Sequence, residues 1–597
     1  MSHPQLGELA PVDGLVDAQR AAHLLGVDVR TFHVWATRSK TATSGIPAAM
    51  PKPVATMNGQ IYRVEDIEAF GRRIALTTRG PRTLERVRGA YFTPDHATHI
   101  MSSWALRTPH DTVLEPSVGD GRFVRTVQAV AAQRGWGRLE IHAVELDEAT
   151  AQQVREADLG LTSLHVGDFL AADHLPKVDV VIGNPPYVRV RELAPSLARN
   201  AMRAVQQAIH QPMDPAGSAW MPFVAKATTL LVPGGRLAFV LPLDFTYVRY
   251  ARALWSFLGD SFGRLQVLRF KERVFPDILQ NVLILLADRR GERTRTVELI
   301  ARERITDLDE ADLAGGAGIP IDDIVTGDRA FLKALLPAAT VDALDALAPH
   351  TERAGDRLKF NIGYVSGSKK FFHPTPQQIR AFRLPARSLR PTVASSRQLS
   401  RQGLCTSMIP VTEHLWLPGE KLTKGEREYI AQGEQDGIDM AYKCRIRPSW
   451  YRVPGVKTPD VVLTTFSDPP RLHVNDAGWV ASNSVLGGTM RPGQDPLTFA
   501  HSWYTPLTQL SAELEIHSLG GGVMVAVPRE ADAVQVLTNE ATRPVDPSHL
   551  TKAMASADRT APYTVGAGAI AELIGPEGLD AVQLGADTLT GWRRAQG

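Results

Sequence analysis

Cysteine is nearly absent: Cys405 and Cys444 are the only two in 597 residues. Two thiols cannot build a disulfide framework or a zinc cluster of their own. A reducing compartment is therefore expected, and no metal. Long apolar runs are absent too. No stretch approaches the roughly 18 consecutive apolar residues of a membrane span, and Met1 is followed by polar residues rather than a basic-then-apolar signal pattern. The expectation is a cytoplasmic protein with no membrane partner. A strong charge of one sign is also missing, since the net charge is +2. The whole chain therefore has no bias toward polyanions. The distribution is less neutral. From Lys359 to Arg401 there are nine Lys or Arg and no Asp or Glu. Such one-sided charge suits phosphates, because neutralising them releases counterions. The remaining composition, 44% hydrophobic and 22% charged, is that of a globular protein of three or four domains.

What is present starts with the tetrapeptide Asn184-Pro185-Pro186-Tyr187. It follows the apolar run 178–183, which reads as a buried strand that stops abruptly. Two prolines stiffen the turn and remove two N–H donors. The turn fixes the Asn184 side chain and offers carbonyl oxygens to an NH2 group, and Tyr187 can cover a flat face. Together they can grip a planar amine such as the exocyclic amine of adenine.

Three further strand ends carry polar groups. Residues 111–124 read as a short strand, a turn and a helix start, with Glu115, Pro116, Ser117, Gly119 and Gly121 in the turn. Glycines there let a ligand approach the backbone closely. The next strand ends at Glu145, where an α/β nucleotide site would bind ribose hydroxyls. A third ends in Asp168-Phe169. Four such ends in order build one crevice at the carboxyl edge of a parallel sheet.

In motif order and content the chain resembles adenine-specific (N6) DNA methyltransferases of the TaqI-like class, from about residue 89 to near 545. The resemblance implies an α/β, Rossmann-like, S-adenosylmethionine-dependent methyltransferase domain with a mostly parallel sheet and helices on both faces. It implies cofactor contacts from Thr93, Glu115, Pro116, Ser117, Gly119, Gly121, Glu145, Asp168, Phe169 and Asn184. Glu145 would accept from the ribose and Asp168 from the cofactor's adenine amine. Asn184, Pro185, Pro186 and Tyr187 would be catalytic, and Phe275 would stack on a flipped base opposite Tyr187. Double-stranded DNA would be the partner, in a prokaryotic, nucleoid-associated setting of restriction–modification or phage defence. Any restriction activity would lie on another chain.

The ends of the chain read separately. Residues 18–35 pattern as two short helices around a Gly turn, and the stretch to Phe70 resembles the winged helix-turn-helix of MerR-like and excisionase proteins. The expected organisation is a helix-turn-helix module over 1–76 and a methyltransferase domain over 77–295. A connecting region over 296–355 follows, then a mixed α+β target-recognition domain over 356–545 and an accessory segment over 546–597. Aromatics interleaved with basic residues nominate Lys369, Lys370, Arg445, Arg447 and Trp450 as near DNA. Two other readings stay open: methylation of RNA or of a protein glutamine amide, which is also a planar amine, and a non-catalytic DNA-binding subunit.

Overall fold

The computed structural model describes residues 93–595 apart from 276–280, 310, 328, 400–402, 520–521 and 542–545, together with three short strands nearer the start. Those strands, β1 (Leu15–Asp17), β2 (Ala55–Thr56) and β3 (Gln60–Arg63), form an antiparallel sheet with β3 central. The two helices expected over 18–35 lie outside the described residues. The chain divides into two units, Met1–Leu241 and Pro242–Gly597.

In the first unit, α1 (Asp95–Ala105) precedes β4 (Val113–Glu115), α2 (Arg122–Gln133), β5 (Ile141–Glu145), α3 (Glu148–Glu156) and β6 (Ser163–Val166). Then come β7 (Val178–Gly183), α4 (Pro195–Ile209), α5 (Trp220–Leu230) and β8 (Leu231–Pro242). The strands lie in the order β8-β7-β4-β5-β6, all parallel. The uniform apolar character of β7 follows from that position. A parallel strand covered on both faces reads as a continuous apolar run. Val180, Val181 and Ile182 are at most 1% exposed, and burying such a side chain contributes ~1.5–3 kcal/mol. From β4 the chain steps outward through β5 and β6, then returns to β7 on the other side of β4. The carboxyl ends of β4 and β7 therefore flank a topological switch point, where open α/β sheets place their ligands.

In the second unit, α6 (Arg252–Gly259) is followed by β9 (Phe262–Phe270), β10 (Val282–Arg290), β11 (Thr296–Arg302) and β12 (Ala317–Pro320). Their order is β12-β11-β9-β10, with β11 parallel to β9 and the other pairs antiparallel. The chain divides between Leu241 and Pro242, and residues 297–302 pair along the whole of 265–270. The run of small residues near 316 marks a close approach rather than a linker. A Cβ on Gly316 would lie 2.6 Å from the Leu299 carbonyl oxygen.

Beyond residue 350 the unit is mixed α+β, as expected. An antiparallel sheet joins 358–362, 485–490, 461–464 and 472–474, over a core that includes Phe360, Leu463 and Trp503. Helix α7 (Ala338–Leu347) shares a second core with α8 (Pro506–Glu515) and α9 (Ala561–Ala595), the last broken at Gly575 just before Pro576. The terminal segment is thus built into this unit. Arg593 anchors it, donating to both Glu513 oxygens (2.7 and 2.8 Å) and to Asp468 (2.7 Å).

Candidate active site

The turn after β4 is shaped by two left-handed glycines, Gly119 (φ 54°) and Gly121 (φ 75°). Such angles suit a residue without Cβ, and a Cβ on Gly121 would also collide with Leu159. The Gly119 N–H donates to one Glu145 oxygen (3.0 Å) and the Asp147 N–H to the other (2.9 Å). One carboxylate thus ties together the turns that follow β4 and β5.

Glu115 closes β4 and is 2% exposed. Burial raises its carboxyl well above the usual carboxylate range. Asp120 and Glu145 push the same way, against the Val124 N–H and Arg125. Its Oε2 finds no hydrogen-bond partner among the described residues. A buried carboxyl with an unfilled oxygen and two acids nearby is a site that gains from a cation. The ammonium and sulfonium groups of S-adenosylmethionine fit that requirement.

At the end of β7 the Asn184 side chain is held from both sides. Its Nδ2 donates to Thr93 Oγ1 (3.3 Å), and the Tyr187 hydroxyl lies 2.7 Å from its Oδ1 and 3.1 Å from the Val240 carbonyl. The Asn184 backbone carbonyl accepts from Ser117 Oγ (3.1 Å), so the β4 turn and the Asn-Pro-Pro turn are joined directly. Thr93 is itself 3% exposed, and its carbonyl accepts from Arg122 of α2 (3.0 Å). Thr93, Ser117, Asn184 and Tyr187 therefore form one connected group, with Glu115 at the foot of the same turn.

Asp168 is partly committed elsewhere. Its oxygens accept from the Leu170 N–H (2.9 Å) and from Asn200 Nδ2 on α4 (2.8 Å). Arg203 in turn donates to Asn200 Oδ1 (2.9 Å). The chain from Arg203 to Asp168 escaped sequence reasoning, because no pattern marks Asn200. Phe169, expected to pack beside a cofactor, packs against α5. It is 2% exposed, with its ring 5.0 Å from that of Phe223 on α5 and Lys226 Nζ 5.4 Å away. The helix takes the ring into the core.

Phe275 belongs to the second unit, where it is buried. Of the five residues nominated for DNA, Lys370 and Arg445 are exposed, and the Arg445 guanidinium sits 5.6 Å from the Tyr442 ring. Lys369 is exposed but paired with Glu413 (3.1 Å). Arg447 and Trp450 are structural ties. Arg447 donates to the Val365 carbonyl (2.8 Å) and lies over Phe372. Trp450 packs on Phe371 and donates to Glu434 (3.1 Å). The mixture of basic and aromatic residues there reflects packing of long side chains on rings.

Two stretches match family models: residues 141–275 match the Eco57I restriction-modification methylase, and residues 328–561 match the C-terminal domain of the type II methyltransferase M.Eco57I. The chain is 21% identical over 405 residues to the type II methyltransferase M.AccI of Acinetobacter calcoaceticus, covering 63% of this chain and 71% of that one. It is 26% identical over 501 residues to M.PaeR7I of Pseudomonas aeruginosa, covering 75% and 82%. A shorter match, 30% over 152 residues, is to the tRNA1(Val) (adenine(37)-N6)-methyltransferase of Serratia proteamaculans, covering 24% and 53%.

This chain is similar to type II restriction-modification methyltransferases. The parallel sheet of its first unit is Rossmann-like. The first methyltransferase match spans Glu145, Asp168 and the Asn184–Tyr187 turn and ends at Phe275. The second covers all five residues nominated for DNA. Among the described residues, no cluster of His, Cys, Asp or Glu could hold a metal, and no helix is long and apolar enough to cross a membrane.

Proposed function

We propose that this protein methylates the N6 amine of adenine at a specific site in double-stranded DNA, using S-adenosylmethionine, within a restriction–modification system. The observation that carries the reading is the Asn184 side chain, oriented by Thr93 and Tyr187 at the carboxyl end of β7. Glu115 and Glu145 mark the cofactor side of the crevice. Glu115 would face the cationic methionine part, and Glu145 would accept from the ribose.

S-adenosylmethionine, when bound, supplies an electrophilic methyl group. The chain's own residues do the positioning. The Asn184 Oδ1 and the Pro185 carbonyl would accept the two amine hydrogens and favour a pyramidal nitrogen. Its lone pair would then be aimed at the methyl group that the cofactor supplies. The methylated nitrogen is acidic and gives its extra proton to water, so no strong base is required. Orientation and electrostatics carry the acceleration. In a duplex the amine is paired, so the base must be flipped out, at roughly a few kcal/mol. Tyr187 would cover one of its faces.

Asn184→Ala should abolish methyl transfer while leaving the fold. Modification-sensitive sequencing of DNA from cells expressing either form tests this. N6-methyladenine at one recurring sequence in the wild type alone is the expected result, and near-normal marking by the variant would refute the assignment. The tRNA adenine methyltransferase among the relatives favours RNA as the second reading. Labelled-cofactor transfer onto RNA would detect it.

A further inference from the structure

The second unit contains a cavity of about 300 Å³, at the lower end of small-molecule sites (roughly 300–1,000 Å³). It lies between the segment that opens this unit, the end of β9, the start of β10 and the last turn of α9. Three arginines line it, Arg269, Arg329 and Arg593, against two carboxylates, Asp244 and Glu513. Two of the three are already matched. Arg593 holds Glu513 and Asp468, and Arg329 reaches Glu530 (3.4 Å) and the Glu515 carbonyl (2.9 Å).

Arg269 is different. It projects from β9, is 4% exposed, and its guanidinium rests against the Trp592 ring at 5.1 Å. It has no ion pair, and its buried Nε has no hydrogen-bond partner among the described residues. Burial pushes its pKa down to about 10, which leaves it charged at neutral pH. A buried guanidinium without an acceptor costs several kcal/mol unless a counterion arrives.

We propose that this cavity binds a phosphate group, received by the Arg269 guanidinium. The guanidinium fork matches phosphate oxygens two at a time. Ser518 lines the same space, and its exposed hydroxyl can donate to a remaining oxygen. Leu332, Leu589 and Trp592 form an apolar wall suited to an organic remainder. The phosphate has two possible sources, a free phosphate or nucleotide and the DNA backbone.

Two titrations test the site on the full-length protein. Inorganic phosphate, at ionic strength matched with chloride, is followed by thermal shift and by 31P NMR. Duplex DNA binding is followed across salt concentrations. Saturable phosphate binding that weakens by about tenfold or more in Arg269→Gln, with DNA affinity unchanged, identifies a free-phosphate ligand. A salt slope reduced by about one contact, with phosphate competing, identifies the backbone. Leu332→Trp fills the cavity from its apolar wall and should weaken the same binding, which provides a second variant should Arg269→Gln not fold. Absence of saturable phosphate binding in the wild type, with salt slopes unchanged in both variants, overturns the proposal. Because the phosphate titration needs neither cofactor nor methyl transfer, its outcome is independent of the methylation reading.

Discussion

Arg236 and Asp111 form a buried pair whose rupture should loosen the sheet that carries the site. Their side chains are 6% and 4% exposed. Arg236 Nη2 reaches Asp111 Oδ1 at 3.0 Å, and Nη1 reaches Oδ2 at 3.2 Å and the Ala105 carbonyl at 2.6 Å. The pair ties β8 to the residues entering β4, with β7 and its Asn-Pro-Pro turn between those two strands. Arg236→Met would strand the carboxylate. Breaking one side of a buried pair costs about 3–5 kcal/mol. Asp111 would keep the Arg107 and Thr108 N–H groups and the Thr108 hydroxyl as donors (2.6, 3.2 and 3.1 Å), so a loss near ~3 kcal/mol is expected. Urea unfolding of Arg236→Met, Asp111→Asn and the double variant measures it. The coupling energy should be about 1–3 kcal/mol.

Acidification gives an independent check on this pair. Burial alone would raise the Asp111 carboxyl, but the Arg236 bonds and the backbone donors outweigh it and hold it low. Its stabilisation is present above the ordinary aspartate range and is lost as pH falls through the lower folded value. Arg236→Met should therefore lose less stability on acidification than the wild type. A loss below ~1 kcal/mol in Arg236→Met, or simple additivity in the cycle, would refute the reasoning.

Tyr187→Phe keeps the ring but releases Asn184 Oδ1. At ~0.5–1.5 kcal/mol per hydrogen bond, methyl transfer from labelled cofactor should slow about two- to tenfold, whereas Tyr187→Ala also loses ring cover worth ~1–3 kcal/mol. Equal rates in the two variants would remove the ring from the mechanism. Glu115→Gln should raise the melting temperature of the cofactor-free protein at neutral pH and weaken cofactor binding, since it removes a buried charge that the cofactor would neutralise. The raised Glu115 carboxyl makes cofactor-free stability greatest below the ordinary carboxyl range and lowers it as pH rises through the folded value. Cofactor affinity should correspondingly fall on acidification, and calorimetry across pH reads this directly. Lys370→Ala and Arg445→Ala should each reduce the salt slope of DNA binding by about one contact. Arg447→Ala and Trp450→Ala should lower the melting temperature instead, because their side chains are built into the fold.

The sheet and its crevice were legible because parallel strands advertise themselves and because ligand chemistry sits at strand ends. The apolar run before Asn184 and the glycines after Glu115 stand at their expected places. The bonds that orient the site were not legible, since Thr93 and Asn184 are 91 residues apart and Arg236 and Asp111 are 125 apart. The packing of Phe169 on Phe223 was not legible either, because an aromatic beside a strand-end acid reads the same whether it faces a ligand or a helix. The intrachain ties of Arg447 and Trp450 were hidden for a related reason, because a cation resting on a ring and a groove for nucleic acid share one composition. The Ala- and Gly-rich tail is the converse case. It reads as an accessory end, and a Cβ on Gly566 would collide with the Tyr504 carbonyl and one on Gly585 with Thr340. Small residues there permit helix α9 to approach its neighbours closely, so that composition is the condition for tight packing.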